Sequence, residues 1–216
     1  LESRKFQANT AFKNKCHWIL EHDSYRQWEE KDTALLWVMG GPGTGKLTLM
    51  AFLLREFEST HPSEVILDFF FHGRGSDLQK APIGMYRTLL HQLVMKVSRA
   101  RRSIANAYQE EITKYGTGMT WNWEVKELRD LLLQCLIQVT AKTPIVIFVD
   151  ALDESAQEAP KLLNYFHLSN DCQQSIKICI SCRYFPVACT IKGLDVAIQS
   201  HNQLDIETFV RNEMIT

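Results

Sequence analysis

The chain has 216 residues, of which 45% are hydrophobic and 23% charged, with a formal net charge of -1. That apolar content supports one substantial core and excludes a disordered class, while a pI of about 6.7 gives no global basic field to recruit nucleic acid or anionic membrane. No apolar stretch is long enough to span a bilayer and neither a signal peptide nor an initiator Met is present, so a cytoplasmic fragment of a longer protein is expected.

The opening stretch through Phe12, Trp18, Ile19 and Leu20 reads as helical, giving a lead-in over residues 1–33. A charge-rich polar segment from Glu21 to Asp32 closes it before the first strand, Ala34 to Met39. That strand runs into Gly40-Gly41-Pro42-Gly43-Thr44-Gly45-Lys46, and Leu49 to Leu54 follow as a helix. Strand, glycine-rich turn and helix in succession are the setting of the phosphate-binding loop. The glycines let the turn curl through positive φ and aim successive N–H groups inward, and the helix adds its positive end. Lys46 supplies an ammonium for the β and γ phosphates. The next position in the pattern takes Ser or Thr, whose hydroxyl binds Mg²⁺, but here it is Leu47. Thr48 lies about 100° further round the helix and does not simply replace that ligand. Phosphate binding with weakened metal binding is therefore expected.

A second strand is expected at Val65 to Phe71, followed by the loop Gly73-Arg74-Gly75-Ser76-Asp77, where Arg74 could reach a phosphate or a carboxylate. Tyr86, Leu89, Leu90, Leu93, Val94 and Val97 recur at helical spacing, as do Val125, Leu128, Leu132, Cys135, Leu136 and Val139. Each set marks a core-facing helix stripe. Lys96, Arg99, Arg101 and Arg102 form a basic cluster that reads as a solvated helix end. Pro144-Ile145-Val146-Ile147-Phe148-Val149-Asp150 then gives an uninterrupted apolar run ending in carboxylates, with Asp153 and Glu154 close behind. Such a run is a buried parallel strand whose carboxyl end faces ligands. Asp150 there can orient metal-bound water, and Asp153 or Glu154 can position or deprotonate an attacking water.

Ile176 to Cys182 gives a fourth strand and Asp195 to Gln199 a fifth. Six cysteines are scattered, and Cys179 with Cys182 has metal-pair spacing, but side chains three apart in a strand point to opposite faces. Buried free thiols are the expected outcome. Ser181-Cys182-Arg183 ends the fourth strand, which in folds built on a phosphate-binding loop lies between the glycine-loop strand and the acidic strand, so Arg183 should face the γ-phosphate. Strand and helix in alternation predict an α/β fold with a parallel sheet flanked by helices on both faces, and the likeness to P-loop NTPases implies five strands in the order 5-1-4-3-2.

The glycine loop with Lys46, the acidic Asp150-Ala151-Leu152-Asp153-Glu154 and Ser181-Cys182-Arg183 together resemble the NACHT domain of NLR-type STAND ATPases. The likeness is strongest to fungal, nephrocystin-type and heterokaryon-incompatibility-like members, through Cys16-His17-Trp18-Ile19-Leu20, Phe69-Phe70-Phe71 and Asp205-Ile206-Glu207-Thr208-Phe209-Val210. The resemblance implies a NACHT core over 34–200, with 201–216 opening a following helical region. It implies an ATP/ADP switch in which exchange permits self-oligomerisation, with an effector domain before it and ankyrin, WD40 or TPR repeats after it. By that resemblance Gly40, Gly41, Pro42, Gly43, Thr44, Gly45, Lys46, Leu47 and Thr48 hold nucleotide. Asp150 serves the Mg²⁺ shell, Asp153 or Glu154 the hydrolytic water, and Arg183 senses the γ-phosphate. No nucleic-acid or membrane partner is expected. Leu47 sets three outcomes apart: a switch with impaired hydrolysis, an ATPase with real turnover, and a scaffold that binds no nucleotide.

Overall fold

The computed structural model describes residues 16–116, 123–155, 175–184, 193–203 and Glu207. Its strands are β1 (Ala34–Met39), β2 (Val65–Phe70), β3 (Ile145–Asp150), β4 (Ile176–Cys182) and β5 (Leu194–Ala197). All pair in parallel in the order β2-β3-β4-β1-β5. This is the expected 5-1-4-3-2 read from the opposite edge. Phe12 and the closing segment 205–210, Glu207 excepted, lie outside the described residues.

The three inner strands β1, β3 and β4 are buried along their whole length apart from Met39, which is half-buried. Both faces are covered, so β1 is apolar throughout and β3 is apolar up to Asp150, while β4 admits Lys177 and Ser181, both buried and hydrogen-bonded. On one face Leu35, Trp37, Ile147, Ile178 and Cys182 pack against α4 (Pro82–Lys96) and α6 (Val125–Thr140), through residues such as Leu89, Leu93, Leu132 and Leu136. On the other, Leu36, Val38, Phe148, Cys179 and Val196 meet α2 (Lys46–Thr60) through Leu49, Met50, Leu53 and Phe57. Cys179 and Cys182 therefore lie on opposite faces, and both are buried.

Two boundaries differ from the sequence reading. β5 starts one residue early, at Leu194, and stops at Ala197, because Ile198–Ser200 turn into a 3₁₀ helix that buries Ile198. β2 stops at Phe70, although the Phe71 N–H still donates to Asp150 O at 3.0 Å.

The polar lead-in holds an element of its own, α1 (Asp23–Glu30), after a 3₁₀ turn at His17–Glu21. His22 caps α1, its Nδ1 accepting the Ser24 N–H at 3.1 Å. Tyr25 and Trp28, three residues apart, share the inward face and are buried. Trp28 Nε1 donates to Ala34 O (3.2 Å) and Ile178 O (3.0 Å), fixing the helix to the sheet. Between β2 and β3 lie α3 (Asp77–Lys80), α4, α5 (Ser98–Tyr115) and α6. The basic cluster works at helix ends: Lys96 Nζ donates to Ile66 O (2.5 Å) and Arg101 Nε to Val94 O (2.7 Å). These cations satisfy backbone carbonyls.

Candidate phosphate-binding site

The glycine turn leaves the carboxyl end of β1 and enters α2, whose cap is Gly45. Gly43 and Gly45 have φ of +73° and +87°, a region that strains any other residue. At Gly40 the constraint is space, since a Cβ would lie 2.6 Å from Thr44 Oγ1. Thr44 Oγ1 donates to Gly41 O at 2.9 Å, closing the turn on itself. From the β5 side, Asn202 Nδ2 donates to Thr44 O at 2.8 Å. The first N–H groups of a helix have no partner within it, and with the positive end of α2 they suit an anion.

Lys46 Nζ donates to Gly40 O and Gly41 O, both at 2.7 Å. Partial burial pulls its pKa below the ordinary 10.5; Asp153 and Asp150 oppose that shift, and Arg183 reinforces it.

Across the cleft, Asp150 ends β3 and is buried. Ser181 of β4 donates from Oγ to Asp150 Oδ1 at 2.6 Å, and the same oxygen accepts the Ala151 N–H at 2.8 Å. Ala151 has φ of +53°, a left-handed conformation that costs a non-glycine residue about 1 kcal/mol. The turn buries Leu152 and delivers Asp153 and Glu154 to the cleft in the 3₁₀ helix Leu152–Glu154. Strain at such a turn is common where side chains must be aimed at a site. Asp153, with its side chain only 4% exposed, accepts the Arg183 N–H at Oδ1 (3.1 Å) and pairs through Oδ2 with Arg183 Nε (3.0 Å). Glu154 Oε1 lies 3.8 Å from Arg183 Nη2, and its Oε2 accepts the Gly73 N–H at 2.7 Å.

A cleft of about 360 Å³ joins these groups, lined by Pro42 to Leu47 on one side and by Asp150, Ala151, Asp153, Glu154 and Arg183 on the other. Lys46 and the acids named from sequence thus share one space. Gly40 and Gly41 form the base of the turn, whereas Thr48 is not in the lining and Arg74 is exposed outside it. The cleft suits an anion, with an ammonium, a guanidinium and a helix terminus around one opening. Its donors suit a metal less well. Asp150 offers a carboxylate, but Leu47 offers no oxygen, and among the described residues no group of three or more His, Cys, Asp or Glu could hold a metal ion. Mg²⁺ needs a nearly octahedral oxygen shell, which waters and phosphates would have to complete.

Sequence reasoning assigned no role to Ser181, Gln199, Asn202, or the trio Trp18, His22 and His201. Gln199 approaches Gly40 and Gly41, and Tyr184 donates from its hydroxyl to Gln199 Oε1 at 3.1 Å. Trp18 and His201 stack with centroids 5.0 Å apart, and His22 meets His201 edge-on at 5.0 Å. This aromatic group includes His201, the neighbour in sequence of Asn202, which bonds the turn from the β5 side. Only the segment after β5 being adjacent to the β1 turn could have signalled it.

The family described as Nephrocystin 3, N-terminal, matches residues 14–183. The chain belongs to this family. It is also similar to the vegetative incompatibility protein HET-E-1 of Podospora anserina, at 25% identity over 173 residues. That match takes in 78% of this chain but 12% of HET-E-1, so the chain spans a small part of that relative. Together they support the NACHT-like domain of fungal NLR type that the motifs implied. Solved structures similar to this nephrocystin-family chain include the Aeropyrum pernix ORC1 protein in complex with DNA, with a TM-score of 0.45 and 14% identity over 96% of this chain and 49% of that one. Another is C. elegans PCH-2, with a TM-score of 0.35 and 12% identity over 91% and 42%.

Proposed function

We propose that the chain is the ATP/ADP-binding switch module of a fungal NLR-like signalling protein, with weak or impaired hydrolysis. The observation that carries this is the combination of a complete phosphate turn, from Gly40 to Lys46, with Leu47 where a metal-binding hydroxyl belongs. Binding and hydrolysis part company there. Gly43, Gly45, Lys46 and the start of α2 would cradle phosphates without a metal. Thr48 follows them in the helix, and Asp150 is the carboxylate available to a metal shell. Mg²⁺, when bound, would neutralise phosphate charge and polarise the terminal phosphoryl group.

Arg183 is the residue suited to distinguish a terminal phosphate, since its guanidinium lies in the cleft with Lys46. Asp153 already holds that guanidinium and the Arg183 N–H, which leaves it better placed to set the arginine than to take a proton from water. Free energy for switching comes from different contacts to ADP and ATP. The name of HET-E-1, a vegetative incompatibility protein, supports a role in incompatibility; innate immune signalling, a cytoplasmic location and self-oligomerisation of the full protein are proposed with it and come from the family resemblance.

Turnover of the chain and of Leu47→Ser tests this. A switch turns over at about 10⁻² s⁻¹ or slower, and Leu47→Ser raises Mg²⁺ dependence while turnover stays slow. A large rise in rate in the variant indicates an ATPase engine damaged at one position. No binding by either protein indicates a scaffold.

A further inference from the structure

Glu154 faces two ways. One carboxylate oxygen lies 3.8 Å from Arg183 Nη2 in the phosphate cleft, and the other accepts the Gly73 N–H at 2.7 Å. Gly73 opens the connection from β2 to α3, which is closed on itself by hydrogen bonds. The His72 N–H donates to Gln79 O (2.9 Å), the Gly75 N–H donates to His72 O (2.8 Å), and Ser76 and Gln79 form a reciprocal capping box. Its far side packs on α4, where a Cβ on Gly84 would lie 1.7 Å from Leu78 O. A segment bonded in this way shifts as a piece. It carries Leu78, a large apolar side chain left 46% exposed.

Arg183 divides its guanidinium between Asp153 and Glu154. Asp153 retains the Arg183 backbone N–H at 3.1 Å if the guanidinium swings away. For Glu154 the same swing removes a cation and brings a phosphate's negative charge nearer, which drives its carboxylate outward, towards Gly73.

We infer that Glu154 is a positioning residue that reports the nucleotide's terminal phosphate to the β2–α3 connection. Arg183 turns from the two carboxylates to the terminal phosphate, the Glu154–Gly73 hydrogen bond tightens, and the segment bearing Leu78 is fixed. This rests on the phosphate-binding reading above and adds the route by which the site's state leaves the cleft.

Backbone amide exchange at Gly73, with His72 and Gly75 as neighbours, tests the route. The chain is measured with ADP and with a non-hydrolysable ATP analogue, and binding of each is followed by calorimetry on the same samples. Gly73 exchange slows about tenfold with the analogue relative to ADP, the scale of one strengthened charge-assisted hydrogen bond. In Glu154→Gln the amide stays protected, because the Gln carbonyl still accepts it, but the difference between nucleotides disappears. In Glu154→Ala the amide exchanges fast with either nucleotide. If the analogue binds and Gly73 exchanges as with ADP, or faster, the route is wrong while the phosphate reading stands. If neither nucleotide binds, the phosphate reading fails and the route with it.

Discussion

Ser181 and Asp150 face each other across β4 and β3, joined by a 2.6 Å hydrogen bond from the serine hydroxyl to the carboxylate. The hydroxyl also accepts the N–H of left-handed Ala151, so one buried oxygen orients the acid and holds the strained turn behind it. Ser181→Ala removes a donor to a buried carboxylate and leaves a buried N–H without its acceptor, at a cost of about 2–3 kcal/mol. Urea denaturation of the two proteins measures this as a lowered midpoint with unchanged slope.

Lys46 is held by loop carbonyls, and its partial burial already disfavours the charge. Lys46→Met keeps most of the stem and removes the ammonium. Stability should change by no more than about 0.5 kcal/mol, whereas nucleotide affinity should fall about tenfold or more, because charge-assisted contacts to phosphate are lost. Thermal unfolding and calorimetry separate the two effects.

Arg183→Ala should cost about 1–3 kcal/mol of stability, since the Asp153 carboxylate, only 4% exposed, keeps the Arg183 N–H but loses its cation. Its consequence for binding should be selective. ATP affinity drops towards that of ADP, while ADP affinity is nearly unchanged, in competition titrations.

His22 has its pKa lowered from 6.5, first by burial and then by His201, with Asp23 and Asp195 opposing. A base whose folded pKa is depressed binds fewer protons folded than unfolded. Its stabilisation is complete above pH 6.5 and is lost as pH falls through the folded pKa. Stability should therefore decline on acidification below pH 6.5. His22→Asn, which keeps an N-cap acceptor for Ser24, should flatten that decline in melting temperatures taken between pH 5 and 7.5.

The central strands were legible because burial on both faces writes uninterrupted apolar runs, such as Ile145 to Val149. The phosphate turn was legible because backbone curvature and charge restrict its residues to Gly and Lys. Helix α1 was not, because Tyr25 and Trp28 are its only buried residues and the rest is polar. The 3₁₀ turn after β5 was hidden because Ile198 is buried whether it extends the strand or ends it. Partnerships across long sequence separations were invisible altogether. The strand order brings Asp153 towards Arg183, Glu154 towards Gly73 and Asn202 towards Thr44, but which atoms pair is set by the loops at the strand ends, and single-sequence periodicity does not record that.

The most direct test is calorimetric titration of the chain with ADP and ATP, each in Mg²⁺ and in EDTA. Phosphates held by Lys46 and the α2 terminus, beside a metal site weakened by Leu47, predict binding that changes little between the two conditions. Strong dependence on Mg²⁺, or no binding of either nucleotide, would contradict that.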